Sequence, residues 1–483
     1  MPKIPPMKKA LAILVGIALL ASFTGCKKEQ PEATTAATEE KIELTYYRLF
    51  DGEDIFEPLI RQYESEHKNI TINYKKFTDA DKYLNLIINE LAEGQGPDLF
   101  SMQNTWFVQH RKKLSPVPSD LISVDDFKNV FVNIASKDLI LPDDSGVNQI
   151  YGLPLYIDTL ALYYNQDQFE DAVPSRGKPA STWSELQEDV FKLTKADNSF
   201  ERFERAGIAM GRSDNVLRTV DILYLLMIQF GAHFYDSKYS EATFAENQGA
   251  STDGIENPGV DALQFYSSFA LPSSKYYTWN ASLSKADSDE KELKTFARGK
   301  VAMIIGYSHM YQQILDQIQQ LEKKGEKTIS ANSVKIAPIP QLEDPKTSTE
   351  KRDTYGSYFA ETVSRTSEHS KEAWEFLSFL VSKENLQYYN EQTHRPTSRR
   401  DMIDDQKEDP IYGVFADQIG FAESLPMADD EAYDEIFKKV IDAVLATKDA
   451  KEVLMVAQEE ISALIPKGGL FPITILPTEG NTN

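Results

Sequence analysis

Polar residues that could bind a small molecule follow the first alternating run of the chain. Arg48 and Asp51 come directly after IELTYY at residues 42–47, a run that predicts a strand. Both side chains could form hydrogen bonds with the hydroxyl groups of a ligand. The alternative is that Asp51 caps the next helix and that Arg48 is solvated. The loop is therefore a candidate binding loop, although helix capping by Asp51 and solvation of Arg48 would also explain these two residues.

A second polar loop follows the strand predicted at PDLFSM and contains Gln103, Asn104 and Trp106. Two uncharged amides beside an indole suit a neutral polyol, because aromatic faces stack on the C–H faces of a sugar while amides bond its hydroxyls. Packing of Trp106 in the core is the alternative.

The stretch Tyr151–Asn165, YGLPLYIDTLALYYN, begins with a turn and continues into residues that favour strands. Pro154 cannot donate to a ladder, so it belongs at the start or the edge of a strand. Asp158 is the only charge in the run. We expect the chain to pass here from one lobe to another, with Tyr156 and Asp158 facing a ligand; a buried strand is the alternative.

Further candidates follow other predicted strands or lie in later loops. They are Arg212 after GIAMG, Trp279 after two tyrosines, Tyr307 after VAMII, Tyr355 and Tyr358 in one segment, and Arg395 before a proline. Here too there are alternatives: Asp214 next to Arg212 could cap a helix, one of the two tyrosines could lie in the core, and Arg395 could be solvated. Trp374 lies on the apolar face of a predicted helix, which favours core packing.

Catalytic motifs are absent from the sequence. We find no phosphate-binding loop, no GxGxxG, no HExxH and no GxSxG, and six scattered histidines with one cysteine offer little for metal or thiol chemistry. No catalytic residue, metal site or cofactor is therefore predicted. A pair of acidic residues of the glycosidase type stays open, because 75 carboxylates are available.

The first 25 residues are typical of an export signal. Lys8 and Lys9 precede a short apolar run that ends near Ala21, and Cys26 follows. The site before this cysteine resembles the lipobox of bacterial lipoproteins, with Phe23 in place of the usual leucine, so we expect residues 1–25 to be removed and Cys26 to be lipidated. Residues 26–40 have the composition of a flexible tether. Met7 could equally be the true start.

The charge of the chain limits its partners. The full sequence carries −24, and loss of the three lysines in residues 1–25 makes the mature charge −27. Nucleic acid and anionic lipid both require a basic surface, so neither is expected as a partner.

Strands and helices alternate from residue 42 onwards. The run at 42–47 and the run at 70–77 each precede an amphipathic helix, and Thr182 with Glu185 forms a capping box before another. This alternation is typical of βαβ units and predicts an α/β fold with a mostly parallel sheet.

Several blocks, in this order, resemble bacterial extracellular solute-binding proteins of ABC importers, the family that includes maltose-binding protein. They are GPDLF, LSPVP, YGLPLYIDTLALYYN, TWSEL, GIAMG, FARGKVAMIIGYS, TYGSYFA and AWEFLSFLVSKENLQYY, within residues 42–465. The resemblance implies a fold of the type II periplasmic-binding-protein kind, in which two α/β lobes are joined by crossing strands and a ligand lies in the cleft. Arg395 with Pro396 resembles a late Arg/Pro turn near that cleft.

The resemblance also implies an organisation and a function. We expect lobe 1 at 41–157, lobe 2 at 158–297, a return to lobe 1 at 298–350, and a return to lobe 2 with C-terminal helices at 351–483. The implied function is a lipid-anchored, monomeric receptor outside the cytoplasm that delivers a sugar, in particular an oligosaccharide, to the permease subunits of an ABC importer. Two alternatives remain open: a secreted carbohydrate-active enzyme, and a binding lipoprotein that serves a sensor.

Overall fold

The computed structural model of the chain describes residues 40–197, 202–248, 256–284, 291–343 and 352–471. The predicted signal peptide at 1–25, Cys26 and the tether up to residue 39 lie outside these residues. The strands are β1 (Ile42–Leu49), β2 (Ile70–Phe77), β3 (Leu99–Gln103), β4 (Leu114–Ser115), β5 (Ile140–Pro142), β6 (Asn148–Ile150), β7 (Leu153–Pro154), β8 (Asp158–Thr159), β9 (Ala161–Asn165), β10 (Lys195–Ala196), β11 (Phe203–Ile208), β12 (Val301–Gly306), β13 (Val334–Ala337), β14 (Thr354–Ser357), β15 (Phe359–Ser364) and β16 (Ala422–Glu423).

The α-helices fall between and after these strands. They are α1 (Glu53–Glu66), α2 (Ala80–Glu93), α3 (Phe107–His110), α4 (Val124–Val130), α5 (Asn133–Leu139), α6 (Gln166–Ala172), α7 (Trp183–Leu193), α8 (Thr219–Gln229), α9 (Pro258–Ser268), α10 (Lys291–Ala297), α11 (Met310–Lys323), α12 (Ser370–Leu380), α13 (Lys383–Thr393), α14 (Ile403–Lys407), α15 (Gly413–Gln418), α16 (Asp430–Leu445) and α17 (Ala450–Leu464). None of the helices in these ranges is long and apolar enough to cross a membrane.

The first lobe is built on a sheet with the strand order β2-β1-β3-β15-β4, to which β7 adds at β15. β1 runs parallel to β2 and β3, whereas β15 runs antiparallel to β3. Alternate residues of β1, Ile42, Leu44 and Tyr46, are buried, as the period of a strand requires. They contribute to a core that also includes the apolar faces of α1, α2 and α12.

The second lobe is built on a sheet with the order β10-β11-β12-β9-β13. β11 is parallel to β12, and β9 is antiparallel to both β12 and β13. Every residue of β9 and β12 is buried, which is expected of strands covered on both faces by helices. The almost entirely apolar α8 and the C-terminal α16 and α17 pack in this core.

A small third sheet, β16-β14-β8, joins the lobes. Ile157 packs in the first core and Leu160 in the second, so the chain crosses between the lobes at β8. β14 lies antiparallel to β8 and parallel to β16. A Cβ atom on Gly356 of β14 would lie 2.6 Å from Cδ1 of Ile134, so a larger residue there would have to displace the tip of the Ile134 side chain on α5.

The observed strand pairing corrects the expected return of the chain to each lobe. Residues 298–350 contain β12 and β13, and both strands pair with β9 in the second sheet rather than in the first. Within 351–483 the first-lobe sheet receives β15, and α12 and α13 pack on that lobe, whereas α16 and α17 pack on the second. Strand periodicity shows that a segment is a strand but does not specify its neighbour, which explains the error.

The predictions for individual helices agree with the structure better than the predicted lobe boundaries do. Thr182 accepts a hydrogen bond from the backbone N–H of Glu185 at the start of α7, as the capping box predicts. Trp374 is fully buried on α12. The α/β character of the chain is confirmed, but the expected mostly parallel sheet is wrong. β15 is antiparallel to β3, β4 and β7 in the first sheet, and β9 is antiparallel to β12 and β13 in the second.

Candidate functional site

A network of buried charges underlies the loop after β1. Arg48 is 1% exposed, and its guanidinium bonds to Asp51 at 2.7 Å, to the hydroxyl of Tyr389 at 2.8 Å and to the carboxylate of Glu361. Arg395 bonds to the other oxygen of Asp51 at 3.1 Å. The predicted ligand contact of Arg48 is therefore unsupported, because its donors are used inside the lobe.

The charged groups of this network shift the pKa of Asp51. Burial alone would raise the pKa of Asp51, but the nearby Arg395 and Arg48 outweigh it and lower that pKa to about 2. The guanidinium of Arg395 lies 4.1 Å from the ring centre of Tyr156, a cation–π contact. Tyr156 is 3% exposed, so it supports Arg395 rather than reaching far into a cleft. Asp51 and Tyr156 are thus joined through their contacts with Arg395.

Asp158 lies at the crossing strand and holds the loop that follows β12. One of its oxygens accepts from the hydroxyl of Ser308 at 2.7 Å, and both accept from the Ser308 backbone N–H at 3.0–3.1 Å. The backbone N–H of Thr159 also donates to Asp158. Its acceptor sites are occupied by the protein, so the geometry supports a positioning role for Asp158. His309 lies beside it, and burial keeps the pKa of this imidazole below its usual value even though Asp158 opposes the effect.

Trp106 links the two lobes. Its indole N–H donates to Oδ2 of Asp430 at 2.7 Å, and the hydroxyl of Thr105 donates to the same oxygen at 3.0 Å. Thr105 and Trp106 follow β3 of the first lobe, whereas Asp430 begins α16, which packs in the second core. The predicted loop after β3 therefore lies where the lobes meet.

An aromatic row extends from Trp106 along the edge of the first lobe. The ring of Phe359 lies 5.7 Å from Trp106 and 5.9 Å from Phe50, in both cases edge to face. Phe50 is 43% exposed and has a φ of +70°, which non-glycine residues rarely adopt. Phe50 and Phe359 were not among the predicted site residues, although an aromatic residue next to Asp51 was a usable signal.

The second lobe contributes a group around Tyr307. The hydroxyl of Tyr307 donates to Asp221 at 2.9 Å, and the guanidinium of Arg218 lies 5.2 Å from its ring centre. Burial raises the pKa of Asp221 despite Arg218 nearby. One turn further along α8, the ring of Tyr224 packs against Tyr355 at 5.7 Å. Tyr307 and Tyr355 are thus brought together with the carboxylate of Asp221, although both rings are largely buried.

Four predicted residues lie elsewhere. Trp279 is fully buried and donates to Oδ1 of Asn215 at 2.8 Å, so it is a core residue. Arg212 forms a bidentate ion pair with Asp214, at 2.9 and 2.7 Å, instead of leaving Asp214 to cap a helix. Asn104 and Tyr358 both donate to Asp138, at 3.0 Å each.

Asp138 and Asn104 line a separate cavity of about 1060 Å³, which does not include the aromatic row. Burial raises the pKa of Asp138 to about 6, although Ser424, Asn104 and Tyr358 all donate to it. Gln103 is half-buried and donates to the hydroxyl of Ser357 at 3.3 Å, close to Phe359. Gln103 therefore lies near the aromatic row and remains a candidate site residue, whereas Asn104 lines the separate cavity.

Comparison with known proteins identifies the family. The sequence profile described as bacterial extracellular solute-binding protein matches residues 51–387. The chain belongs to this family. The resemblance of the ordered sequence blocks is thereby confirmed.

Relatives and solved structures agree with this assignment. A binding protein of Brucella abortus (strain 2308) is 25% identical over 373 residues, which is 77% of each chain. The sugar-binding protein MalE from Xanthomonas citri has a TM-score of 0.68 at 15% identity and covers 87% of this chain and 97% of its own. A solute-binding protein of an ABC transporter from Thermotoga lettingae, bound with α-D-tagatose, has a TM-score of 0.64 at 20% identity, covering 88% and 100%. These likenesses confirm the two-lobed fold.

The candidate site combines residues of both lobes. The first lobe supplies Asp51, Trp106, the aromatic row and Arg395, and the second supplies Arg218, Asp221, Tyr307 and Asp430. Within the described ranges no group of three His, Cys, Asp or Glu side chains is placed to hold a metal ion.

Proposed function

We propose that this solute-binding protein is a receptor for a carbohydrate, in particular an oligosaccharide, that it delivers to the permease subunits of an ABC importer. It performs no chemistry on the ligand. The observation that carries the proposal is the aromatic row of Phe50, Phe359 and Trp106, which begins at an exposed ring and ends at the contact between the lobes. An exposed aromatic ring close to the contact between the lobes suits the C–H face of a sugar unit.

The polar groups around the row support the same ligand class. Asp430 and Arg218 come from the second lobe and Gln103 from the first, so hydroxyl groups of one ligand can be bonded from both sides. The Xanthomonas citri and Thermotoga lettingae proteins are described as binding sugars, which supports the assignment for this chain.

Closure of the lobes would couple binding to delivery. A ligand that contacts both lobes favours the closed state by the difference between its affinities for the two states. A transporter must also release its ligand, so we expect micromolar affinity, a free energy of about −8 kcal/mol.

The proposed attachment to the membrane depends on the N-terminus. We infer that residues 1–25 are removed and that a lipid on Cys26 anchors a monomer outside the cytoplasm. Export of Cys26→Ser should give a protein that is released from membranes by washing, while the parent chain stays bound. Equal release of both would contradict the anchor.

Titration calorimetry against a panel of glycans, amino acids, polyamines and phosphates tests the ligand class. We expect an oligosaccharide to bind and Phe50→Ala to weaken its binding about tenfold, which corresponds to 1.4 kcal/mol. Phe191→Ala is the matched control, because Phe191 is also exposed, at 53%, but lies on α7 away from the row. Binding of amino acids, polyamines or phosphates alone would contradict the sugar assignment.

A separate incubation tests the absence of chemistry. The bound glycan is released by denaturing the protein and analysed by chromatography after prolonged contact. We expect it to be recovered intact. Cleaved products would favour a secreted carbohydrate-active enzyme instead.

A further inference from the structure

We propose that the oligosaccharide extends past Arg395 and places a neutral sugar unit in a cavity between α13 and α14. This inference rests on the proposed carbohydrate function and adds a binding position for one end of the ligand. The cavity has a volume of about 390 Å³, which is within the range of small-molecule sites. It is distinct from the larger cavity beside Asp138.

Arg395 connects this cavity to the candidate site. Its side chain lines the cavity, and its Nη2 donates to Oδ1 of Asp51 at 3.1 Å. The same guanidinium lies over the ring of Tyr156. Asp51 directly follows Phe50, the exposed end of the aromatic row. The row and the cavity are therefore linked by neighbouring contacts, so that one oligosaccharide can span them.

The lining of the cavity comes from segments that pack on both lobes. One part is α13, which packs in the first core through Leu386 and Tyr389. Another part is Tyr412, which packs against the second core and lies edge to face with Tyr311 of α11 at 5.8 Å. A sugar unit in the cavity would therefore contact both segments, so it would favour the arrangement of the lobes in which both are in place.

A buried amide oxygen in the lining points to a ligand group. Asn390 lines the cavity and is only 3% exposed. Its Nδ2 donates to the backbone oxygen of Leu155 at 3.3 Å, whereas its Oδ1 has no hydrogen-bond partner among the described residues. A buried acceptor without a donor costs free energy and is rare in folded proteins. A hydroxyl group of a ligand in the cavity would supply the missing donor.

An aromatic pair in the lining suits the apolar face of a sugar. The rings of His394 and Tyr412 lie almost parallel, at 2° to each other, and their centres are 5.0 Å apart. Pro396 and Met402 add apolar groups to the same lining. Aromatic rings pack on the C–H faces of sugars, and a few polar groups beside them fix the orientation of the ligand. The cavity therefore offers both kinds of contact that a sugar unit needs.

The charges around the cavity nearly cancel. The described residues that line it include the cations Lys383 and Arg395 and the carboxylates Glu391, Asp405 and Asp409. The three carboxylates are exposed and therefore solvated, and Arg395 is paired with Asp51. A phosphate or a polyamine is attracted by a strong excess of the opposite charge, which this lining does not present. A neutral hydroxylated unit is the ligand that matches it.

Calorimetry with saccharides of increasing length tests this inference. The probes are three homologous series, each from disaccharide to heptasaccharide: α-1,4-linked glucose, β-1,4-linked glucose and β-1,4-linked mannose. In the series that binds most tightly, we expect the affinity to rise about tenfold at the length that first fills the cavity, as one net hydrogen bond and one ring contact would give. Longer members of the series should bind no more tightly than that one.

A variant that fills the cavity should remove this rise. Asp405 is exposed and lines the cavity, so Asp405→Trp places an indole there without a change in either core. We expect this variant to bind the short saccharides as tightly as the parent chain does and to lose the tenfold gain. Asp404→Trp is the matched control, because Asp404 precedes Asp405 in α14, is also exposed and does not line the cavity. It should keep the whole length dependence.

The outcomes separate the two proposals. The inference would be overturned if the parent chain showed no rise with length, if Asp405→Trp kept the rise, or if Asp404→Trp lost it too. An equal loss of short and long ligands in Asp405→Trp would also overturn it, because the substitution would then act on the candidate site itself. In each of these cases saccharides still bind to the parent chain, and the carbohydrate function stands. If the folded parent chain bound no saccharide, the carbohydrate function itself would be contradicted.

Discussion

The indole nitrogen of Trp106 lies 2.7 Å from Oδ2 of Asp430, and this hydrogen bond joins the loop after β3 in the first lobe to the start of α16 in the second. The bond connects the two lobes directly. It can therefore be used to test whether their contact governs binding.

Trp106→Phe keeps an aromatic ring but removes the donor to Asp430. We expect the free lobes to separate more readily and the ligand affinity to fall about tenfold, since closure loses one charge-assisted hydrogen bond worth roughly 1.5–3 kcal/mol. Small-angle scattering of the free protein and calorimetry would measure both effects. Trp183→Phe is the control, because its indole N–H bonds at 2.6 Å to Gln229 within the second lobe. An equal loss of affinity in both variants would contradict the interlobe role.

The buried charge network predicts a stability effect without a ligand. Glu361→Gln removes the charge opposite Arg48, which is fully buried and keeps only Asp51 as a carboxylate partner. Breaking a buried ion pair costs about 3–5 kcal/mol, and we expect the lower end because Asp51 remains. Urea unfolding would measure the change against Glu43→Gln, which alters an exposed residue of β1. A loss below about 1 kcal/mol would show that the network is dispensable.

Asp158→Asn tests the positioning role of the crossing strand. The amide would face the N–H and hydroxyl donors of Ser308 with only one acceptor, so the loop after β12 should lose its fixed position. We expect a melting temperature lower by several degrees together with weaker binding. Ser308→Ala, which removes only the hydroxyl, should show a smaller change in both. Unchanged melting and affinity in Asp158→Asn would exclude this role.

Glu292 makes the stability of the second lobe depend on pH. This carboxylate is 1% exposed and accepts from the backbone N–H of Leu217, and burial raises its pKa from 4.5 to about 7. The folded state therefore binds the proton more tightly than the unfolded state. Its contribution is fully present below pH 4.5 and is lost as pH rises towards 7, by up to about 3 kcal/mol at 1.36 kcal/mol per pH unit.

Glu292→Gln should remove this component of the pH dependence. The difference in the free energy of unfolding between the parent chain and Glu292→Gln should change across pH 4.5–7 and stay level above it. Urea unfolding at fixed pH values would measure it. A constant difference across the whole interval would show that Glu292 titrates normally.

The amino-acid sequence predicted the secondary-structure elements and the family well. It predicted the direction and burial of individual side chains poorly. The loops after β1, β3 and β12 were predicted as ligand loops because ligands bind beyond the carboxyl ends of strands in open α/β sheets. Arg48 and Trp279 were misassigned because a polar or indole group gives no sign of its burial until its partners, Glu361 and Asn215, are placed by distant segments. Phe50 was missed because its exposure depends on a left-handed backbone conformation, which the local sequence does not predict.

The position of β15 has a consequence for how the chain acquires its structure. This strand separates β4 from the rest of the first sheet, yet it is contributed by residues Phe359–Ser364, long after β3 at Leu99–Gln103. A chain that is synthesised from the N-terminus onwards cannot complete the first lobe until most of its length is available. Contacts between such distant segments slow folding, so the unfinished chain stays open for longer than a chain with consecutive lobes would. The export that we propose would gain time from that delay, because the chain would stay unfolded for longer while it crosses the membrane.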